Sequence, residues 1–353
     1  MLWMVKVAVV GTVGIPACYG GFESLVENLT AYKSEHVNYQ VFCSKNAYSK
    51  KVANHNGAEL IYLPLQANGI QSVPYDVLAL LKCIWLKPNA VLVLGVSGCL
   101  FLPIFRFFSA AKVITNIDGL EWKRDKWGRW AKRFLKWSES VAVKYSDVVI
   151  TDNKAIGDYV AAEYGKSSVT IAYGGDHALR DIEANNVRYD YALGLCRIEP
   201  ENNVQMILEA FSQTDRKLKF IGNWNSSQFG RDLRKKYSET PNIELLDPIY
   251  DIDELYRLRK GCTLYIHGHS AGGTNPSLVE MMHFGVPIFA YDCSFNRFST
   301  EDKGHYFEHS SQLIELLSYT EESQLKANGN HMRDIAIRRY TWAEINRLYE
   351  MTY

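Results

Sequence analysis

Residues 267–280, HGHSAGGTNPSLVE, collect residue types that can bind an anion. An apolar run precedes them, and the Asn-Pro step is typical of a helix start, since a proline in the first turn leaves no amide unpaired. Thr274 or Asn275 could cap that helix, and Gly272 and Gly273 would let a ligand approach the first backbone amides closely. This arrangement suggests diphosphate binding. Taken alone, the stretch is explained equally well by a capped turn without a ligand.

The same stretch carries a carboxylate and two histidines. Glu280 would lie about one turn inside the helix, within reach of a sugar hydroxyl behind the phosphates. His267 and His269 form an H-x-H pair, but no cysteine, aspartate or third histidine is spaced to complete a metal site. We therefore expect no metal here: His269 would point towards the ligand, and His267 would be packed or hydrogen-bonded.

An arginine follows the first strand expected in the second half of the chain. In CRIEPENN, Arg197 could bind a phosphate group through two parallel hydrogen bonds, from the side opposite the loop at 272–276. A surface salt bridge with Glu199 or Glu201 is the alternative.

Two stretches of the first half could also contact a ligand: a glycine-rich loop suited to an anion or sugar, and a strand end that carries an aspartate. GTVGIPACYGGFE offers the backbone amides of Gly20 and Gly21 just before an amphipathic helix. It lacks the G-x-G-x-x-G spacing of dinucleotide sites, and a turn that needs positive φ angles is the alternative. In NIDGLEWKRDKW, Asp118 could orient or deprotonate a hydroxyl at a strand end, or form a turn with Gly119.

Residues 121–139 combine basic and aromatic side chains. The segment holds seven basic and three acidic residues, and its large aromatic residues are Trp122, Trp127, Trp130, Phe134 and Trp137. This pattern is typical of a membrane interface or of a site for an anionic lipid-linked ligand. On that interpretation the side chains facing the acceptor or the membrane would be Trp122, Lys123, Arg124 and Trp127. A solvated helix with its aromatic face in the core is the alternative, and the sequence leaves both open.

The elements that position these residues form two similar series. In residues 1–177, short apolar runs such as VKVAVVG and AVLVLG alternate with helical patterns, which predicts a parallel sheet covered on both faces. Polar residues 178–190 are interpreted as a linker, and a second alternating series occupies 191–337. We predict two Rossmann-like domains facing across a cleft, because each sheet presents the carboxyl ends of its strands to ligands. A helical segment at about 338–353 ends the sequence.

Composition excludes several classes of protein. The 353 residues carry 39 basic and 39 acidic side chains, so no global field favours nucleic acid. With 47% apolar residues the chain is not disordered. Seven scattered cysteines without C-x-x-C indicate reduced thiols in a cytoplasmic protein. The one candidate membrane span, residues 91–108, is interrupted by glycine and proline, which favours a strand and a short helix.

Together these motifs resemble the retaining glycosyltransferases of family 4, which have the GT-B fold, and above all their bacterial rhamnosyltransferase branch in cell-wall and capsular polysaccharide assembly. The resemblance spans residues 5 to about 345 and rests on GTVGIPACYGGFE, NIDGLEWKRDKW, RIEPENN, GNW, YIHGHSAGGTNPSLVEMM and YDCSFNR. It implies a donor site mainly in the C-terminal domain and an acceptor site mainly in the N-terminal one. It also implies that the helix near Trp342 packs back on the first domain.

By this resemblance, Glu280 binds the donor ribose, and Arg197 binds the diphosphate together with the amides after Gly272. The other donor contacts that it implies are Gly20, Gly21, Asn202, Gly222, Asn223, His269, Gly273, Thr274 and Asn275. Three positions depart from the wider family. The first glutamate of its E-x7-E motif is Gly272 here, its phosphate-binding lysine is Asn202, and an acceptor-loop histidine is Asp118. A different contact to the sugar ring is therefore expected.

The resemblance predicts transfer of L-rhamnose from dTDP-rhamnose to a lipid-diphosphate-linked saccharide, with retained configuration and without a metal or other cofactor. Arg197 and the helix start would stabilise the leaving diphosphate, and Asp118 would position the acceptor. No carboxylate is placed for a covalent intermediate. The enzyme would work at the inner face of the plasma membrane. The alternatives are a family 4 enzyme that uses a UDP- or GDP-linked sugar, a non-catalytic nucleotide-sugar-binding component, and a sugar-nucleotide epimerase.

Overall fold

The computed structural model of the chain describes residues 4–18, 20–123, 128–182 and 189–353. The chain forms two compact units. Unit 1 comprises Met1–Ala172 and Trp342–Tyr353, and unit 2 comprises Tyr173–Thr341. The division after Ala172 comes earlier than the polar segment 178–190 in which we placed the linker.

Unit 1 is built on an eight-stranded sheet in the order β3-β4-β2-β1-β5-β6-β7-β8. Its strands are β1 (Val5–Val10), β2 (Val37–Ser44), β3 (Asn54–His55), β4 (Ala58–Leu63), β5 (Ala90–Leu94), β6 (Lys112–Asn116), β7 (Val148–Thr151) and β8 (Val169–Thr170). Its first five helices are α1 (Gly21–Ala31), α2 (Ser72–Leu86), α3 (Leu102–Phe108), α4 (Arg129–Tyr145) and α5 (Lys154–Tyr164). All strand pairs are parallel except the β3–β4 hairpin.

The apolar strands of unit 1 lie at the centre of its sheet. Val7–Val10 of β1 and the whole of β5 are buried, as expected for strands that helices cover on both faces. Because β1 pairs with both β2 and β5, the strand order reverses there. The glycine-rich loop after β1 therefore leaves the sheet at a topological switch point, the usual position of ligands in such sheets.

Unit 2 repeats this architecture with six parallel strands in the order β11-β10-β9-β12-β13-β14. These are β9 (Ala192–Leu195), β10 (Leu218–Ile221), β11 (Ile243–Leu246), β12 (Leu264–His267), β13 (Ile288–Tyr291) and β14 (His305–Phe307). Its helices are α6 (Val204–Ser212), α7 (Gln228–Tyr237), α8 (Ile252–Gly261), α9 (Pro276–Met282), α10 (Ser294–Ser299), α11 (Ser310–Tyr319) and α12 (Glu322–Arg339). Here the order reverses between β9 and β12, so the loops that follow these two strands emerge side by side.

The end of the chain differs from the predicted single helix at about 338–353. α12 ends at Arg339, and a separate helix, α13 (Trp342–Glu350), follows after a break of two residues and belongs to unit 1. The break has a local cause, because the carbonyl of Tyr340 accepts hydrogen bonds from the amide of Gly175 at 2.7 Å and from the ring of His283 at 3.0 Å. That carbonyl is therefore not used within a continuous helix. Within unit 1, α13 packs against α1.

The predicted class, parallel α/β in two parts, is confirmed. All seven cysteines lie among the described residues, and each is a free thiol. Within the described ranges, no helix has the length and apolar content that crossing a membrane requires.

Candidate functional site

The candidate site in unit 2 lies where the loops after β9 and β12 meet. Ser270 bonds to the carbonyl of Glu201 twice, from its amide at 3.0 Å and from its hydroxyl at 2.7 Å. Asn203 Nδ2 donates to the carbonyl of Gly268 at 2.9 Å. A Cβ at Gly268 would lie only 2.2 Å from the carbonyl oxygen of Asn202, so the two backbones meet where no side chain fits. The loops therefore form one connected surface.

Asn202 and His269 are paired across this junction. The Asn202 side chain is buried, its Nδ2 donates to the carbonyl of Arg197 at 2.7 Å, and its Oδ1 lies 2.6 Å from His269 Nδ1. The backbone of His269 is also held, because its carbonyl accepts a hydrogen bond from Asn296 Nδ2 at 2.9 Å. These bonds fix the imidazole in one orientation.

Gly272 has a backbone that other residues rarely adopt. Its φ angle is +121°, and a Cβ built on it would lie 3.0 Å from His269 Nε2. A glutamate at this position, as in the wider family, would be strained and would press on the imidazole.

The helix start after this loop forms as predicted. Asn275 is the cap, and its side-chain oxygen accepts a hydrogen bond from the amide of Ser277 at 2.9 Å, while Pro276 occupies the first turn. Thr274 is buried, and Gly273 is half-buried beside it. α9 is only seven residues long, so its dipole is weaker than that of a long helix.

Glu280 is held by two cationic or hydrogen-bonding partners. Its side chain is 13% exposed and forms an ion pair with the buried Arg259 of α8. His177 Nε2 lies 3.2 Å from its other carboxylate oxygen. Burial alone would raise the pKa of Glu280, but Arg259 and His177 hold that pKa below its ordinary value. Glu280 is therefore ionised at neutral pH and is a strong acceptor of hydrogen bonds.

Sequence reasoning missed three residues of this cluster: Arg259, His177 and Gly175. A Cβ at Gly175 would lie 2.7 Å from the backbone of Val279 and Glu280, so this glycine lets the segment carrying His177 reach α9. The run YGGDH at 173–177 carried a signal in its glycine pair. Arg259 carried none, because it lies among other basic residues of a polar helix and only the strand order brings it to Glu280.

Arg197 lies after β9, as predicted, but it forms the surface salt bridge with Glu199 that was the alternative interpretation. Its side chain is 57% exposed and lies 3.6 Å from Glu199. Such an exposed pair is weak, worth roughly 0–1 kcal/mol, so an anionic ligand can replace Glu199 at low cost.

The first two residues of the GNW motif differ in environment. Gly222 is buried, and a Cβ there would lie 2.3 Å from the side chain of Ile198, which makes it a packing residue beneath the loop after β9. Asn223 is exposed at the end of β10. Donor contact by either residue stays a prediction.

In unit 1, the glycine-rich loop is supported by a buried carboxylate. Gly20 precedes α1 with a φ angle of +103°, and Gly21 is the first residue of the helix. Glu23 accepts hydrogen bonds from the hydroxyl of Thr12 at 2.8 Å and from the amide of Val13 at 2.7 Å. Gly20 thus adopts the positive-φ turn that was the alternative interpretation. The backbone of both glycines is exposed, so contact with a ligand stays a prediction.

Asp118 lies in a tight turn after β6. Its φ angle is +60°, and its amide donates to the side chain of Asn116 at 2.9 Å, so Asn116 forms a turn with it. Asn116 is itself buried and bonded to the hydroxyl of Tyr349 at 2.7 Å. The Asp118 carboxylate is half-buried on a rigidly held turn.

The residues predicted to face the acceptor or the membrane have different environments. Trp122 is half-buried, and its indole N–H donates to the buried Glu139 at 3.1 Å. Lys123 is exposed, with its ammonium 5.4 Å from the centre of the Trp122 ring. Arg124 and Trp127 lie outside the described residues.

His267 of the H-x-H pair ends β12, and His269 lies in the loop that follows. No group of three histidine, cysteine, aspartate or glutamate side chains comes together among the residues that the structure describes. His267 is buried, and burial lowers its pKa well below the ordinary value. Its Nε2 has no hydrogen-bond partner among the residues that the structure describes. Its neutral ring packs between Tyr265 and His269.

Two family models together match most of the chain. Residues 4–176 match a domain of unknown function, DUF1972, and residues 177–318 match the glycosyl transferases group 1. No curated protein sequence shows a significant match.

Solved structures with similar folds cover almost the whole chain. The sucrose-phosphate synthase of Thermosynechococcus elongatus is 14% identical with a TM-score of 0.77, covering 99% of this chain and 98% of its own. HepE of Anabaena, solved with UDP, is 12% identical with a TM-score of 0.73 and covers 99% of both chains. The lipopolysaccharide outer core galactosyltransferase WaaB is 13% identical with a TM-score of 0.67, covering 99% of both chains.

The fold shared with these structures is GT-B, and the matching family covers the part of the chain that carries Arg197, His269 and Glu280. The chain therefore has the GT-B fold, and the match of residues 177–318 to the glycosyl transferases group 1 supports a glycosyltransferase activity.

Proposed function

We propose that this glycosyltransferase transfers L-rhamnose from dTDP-rhamnose to a lipid-diphosphate-linked saccharide, with retained anomeric configuration and without a metal ion. The observation that carries the donor half is the convergence at one switch point of Arg197, the loop 272–275 and the ionised Glu280. The motif resemblance supports rhamnose as the sugar. HepE of Anabaena, solved with UDP and with UDP-glucose, supports a nucleotide sugar as the donor class.

In this proposal the donor ribose binds at Glu280. A carboxylate held ionised by Arg259 accepts hydrogen bonds from the two ribose hydroxyls without needing to lose a proton. The ribose approaches beside His177, whose side chain is 39% exposed and so has room to shift.

The leaving diphosphate is stabilised by groups already on the loops. Arg197 exchanges Glu199 for a phosphate oxygen, and the backbone amides after Gly272 bind a second one. The bond between the anomeric carbon and the diphosphate breaks, and a bond to the acceptor oxygen forms on the same face. The acceptor proton passes to a donor phosphate oxygen, and Asp118 positions the acceptor hydroxyl.

The acceptor half of the proposal rests on an exposed aromatic and basic face of unit 1. α3 contacts both α2 and α4. Each of these three helices connects a strand to another that lies further along the sheet in the same direction. Because such crossovers are right-handed, all three helices lie on one side of the sheet. Phe107 is 83% exposed and Trp130 is 82% exposed, with Arg133 stacked 5.5 Å from the Trp130 ring centre. α4 carries five basic residues, and its single acidic residue, Glu139, is buried.

We assign this face to an anionic bilayer surface, which would present a lipid-linked acceptor to unit 1. Exposed tryptophan and phenylalanine insert at the level of lipid headgroups, while lysine and arginine attract anionic lipids. Trp122 is half-buried and its indole N–H bonds to Glu139, so the proposal relies on Phe107 and Trp130 instead.

The donor proposal is tested by thermal shift with dTDP-, UDP- and GDP-linked sugars, since a ligand that binds only the folded state raises the melting temperature. We expect dTDP-rhamnose to give the largest shift. Arg197→Ala and Glu280→Gln should each weaken its binding by about tenfold or more, which is about 1.4 kcal/mol. Arg231→Ala is the control, an exposed arginine of unit 2 whose side chain bonds to Asn225 and Gln228.

Two results would change the proposal. A larger shift with a UDP- or GDP-linked sugar would identify that sugar as the donor, and the proposed binding site would stand. Unchanged binding in both site variants would overturn the site itself.

A further inference from the structure

One loop of unit 1 carries three lysines that the reaction described above does not use. Lys45, Lys50 and Lys51 follow β2, and residues 44–57 contain no aspartate or glutamate. All three side chains are exposed, and none of their ammonium groups forms an ion pair or a hydrogen bond with a residue that the structure describes. Residues 45–51, the lysine loop, therefore present three positive charges without an acidic residue of their own.

The lysine loop is fixed to the loops on either side of it. As β2 ends, the amide of Ser44 donates to the carbonyl of Val13 at 2.8 Å, and its hydroxyl donates to the carbonyl of Leu65 at 2.8 Å. Further along, the hydroxyl of Tyr48 donates to the carbonyl of Pro16 at 3.1 Å. Val13 and Pro16 belong to the glycine-rich loop after β1, so the two loops form one connected surface.

The strand order places the lysine loop at the same edge of the sheet as Asp118. β2, β1, β5 and β6 are parallel neighbours in that order, so the loops that follow them all leave the sheet at its carboxyl edge. The loops after β2 and β6 are three strand spacings apart, roughly 14 Å. One sugar, a diphosphate and an extended lysine side chain together span such a distance.

We propose that Lys45, Lys50 and Lys51 bind the diphosphate of the lipid-linked acceptor. This inference rests on the proposed function, because it takes the acceptor to be a diphosphate lipid. Each ammonium group offers three N–H donors and a full positive charge to the phosphate oxygens. Because the loop backbone is already fixed, binding orders only the lysine side chains, which keeps the entropy cost small. The carboxylates of Glu23 and Glu27 on α1 are already used as acceptors by amides of the glycine-rich loop.

Binding of a lipid diphosphate tests the proposal without requiring sugar transfer. Farnesyl diphosphate, a soluble lipid diphosphate, is titrated into the full chain in the presence of saturating dTDP, which fills the donor site in unit 2. We expect Lys45→Gln/Lys50→Gln/Lys51→Gln to weaken the binding of farnesyl diphosphate by about tenfold or more, and to leave the binding of dTDP within about twofold of the native chain.

The matched control removes the same charge from unit 2. Lys217→Gln/Lys235→Gln/Lys326→Gln replaces three exposed lysines, and it should bind both ligands like the native chain. Unchanged binding of farnesyl diphosphate by the lysine-loop variant, an equal loss in the control, or no binding by the native chain would each overturn the inference.

A second measurement compares two acceptors of the same sugar. The native chain should have a higher kcat/KM for the N-acetylglucosamine-diphosphate lipid than for octyl N-acetylglucosaminide, which has no phosphate. The lysine-loop variant should lose this preference through a higher KM for the diphosphate lipid alone, whereas misfolding would lower both values equally. If the native chain transfers sugar to neither acceptor, the proposed function fails, and the binding of farnesyl diphosphate still decides the role of the lysines.

Vesicles distinguish the acceptor diphosphate from the phosphates of a bilayer surface. The lysine-loop variant should sediment with phosphatidylglycerol vesicles to the same extent as the unit 2 control, because both have lost the same charge. Weaker sedimentation of the lysine-loop variant alone, together with native affinity for farnesyl diphosphate, would show that the lysines contact lipid headgroups and would contradict the proposal.

Discussion

At the scale of single residues, the cluster around Glu280 depends on the pairing of buried charges. Arg259 and Glu280 have side chains that are 8% and 13% exposed, so each would be costly to bury without the other. The sequence predicted the position of Glu280, because this residue follows the Asn-Pro helix start by only a few residues of the same helix. It did not predict Arg259, because the approach of α8 to α9 is set by the strand order of the whole unit.

Replacing Arg259 should therefore destabilise the fold, because the buried carboxylate of Glu280 loses its cationic partner. We expect Arg259→Met to lower the free energy of unfolding by about 3 kcal/mol at neutral pH, and the double variant Arg259→Met/Glu280→Met to recover part of that loss. Urea titrations of the native chain and of the variants measure both effects. A double variant at least as unstable as Arg259→Met would show that this ion pair does not control the local stability.

The same pair predicts a dependence on pH. Because the folded pKa of Glu280 is lowered from its ordinary 4.5, its stabilising contribution is complete above about pH 4.5 and is lost as the pH falls through the folded value. Glu280→Gln should therefore reduce the acid sensitivity of unfolding. Urea titrations between about pH 3 and 6 test this, and parallel curves for the two proteins would contradict it.

At the scale of elements, the regular structure was predictable and the role of the aromatic segment was not. Apolar runs marked β1, β5 and β12, and Asn275 marked the start of α9, because these signals are contained within a few neighbouring residues. The role of Trp122 depends on Glu139, seventeen residues away on α4. No pattern of spacing shows that an indole will bond to one particular carboxylate, so the sequence left the membrane and core interpretations open.

Glu139 should be important for the stability of unit 1. It accepts hydrogen bonds from Trp122 Nε1, from the hydroxyl of Tyr159 at 2.7 Å and from that of Tyr164 at 2.6 Å, and Lys136 lies 3.7 Å away. Glu139→Ala leaves these donors without an acceptor, so we expect the free energy of unfolding to fall by about 3 kcal/mol.

The control for Glu139 is Asp158→Ala, which removes an exposed carboxylate of α5 bonded to Lys154. We expect this change to cost no more than about 0.5 kcal/mol. Urea titrations monitored by tryptophan fluorescence measure both variants, and equal losses would mean that the buried network carries no special stability.

The exposed face of α3 and α4 predicts a measurable affinity for anionic membranes. We expect the chain to sediment with phosphatidylglycerol vesicles more than with phosphatidylcholine vesicles, and less at high salt, because salt screens the basic residues. Phe107→Ser/Trp130→Ser should reduce the partition coefficient by about tenfold, since two large apolar side chains no longer insert.

A matched control for the membrane experiment is Tyr250→Ser/Tyr319→Ser, which removes two aromatic residues of unit 2 that are 87% and 81% exposed. It should bind vesicles like the native chain. If both double variants lose binding equally, or if the native chain ignores anionic vesicles, this face does not contact a bilayer.

At the scale of the whole molecule, the two α/β units and their strand orders determine where chemistry can occur. Both sheets reverse their strand order beside their most glycine-rich loops, and in unit 2 the loops at this point carry Arg197, His269 and Gly272, with Glu280 on the helix that follows. The alternation of apolar runs was enough to predict this architecture. It could not predict the donor sugar, because that choice depends on the geometry of side chains that the strand order alone does not fix.

The central claim is sugar transfer from a nucleotide donor with retained configuration, and one assay tests it directly. The chain is incubated with dTDP-rhamnose and a synthetic N-acetylglucosamine-diphosphate lipid, dTDP release is quantified, and the anomeric configuration of the product is determined by NMR. We predict release of dTDP in step with formation of a rhamnosylated lipid whose linkage keeps the donor configuration. Donor binding without dTDP release above the rate of hydrolysis in water, across several lipid-linked acceptors, would contradict the account.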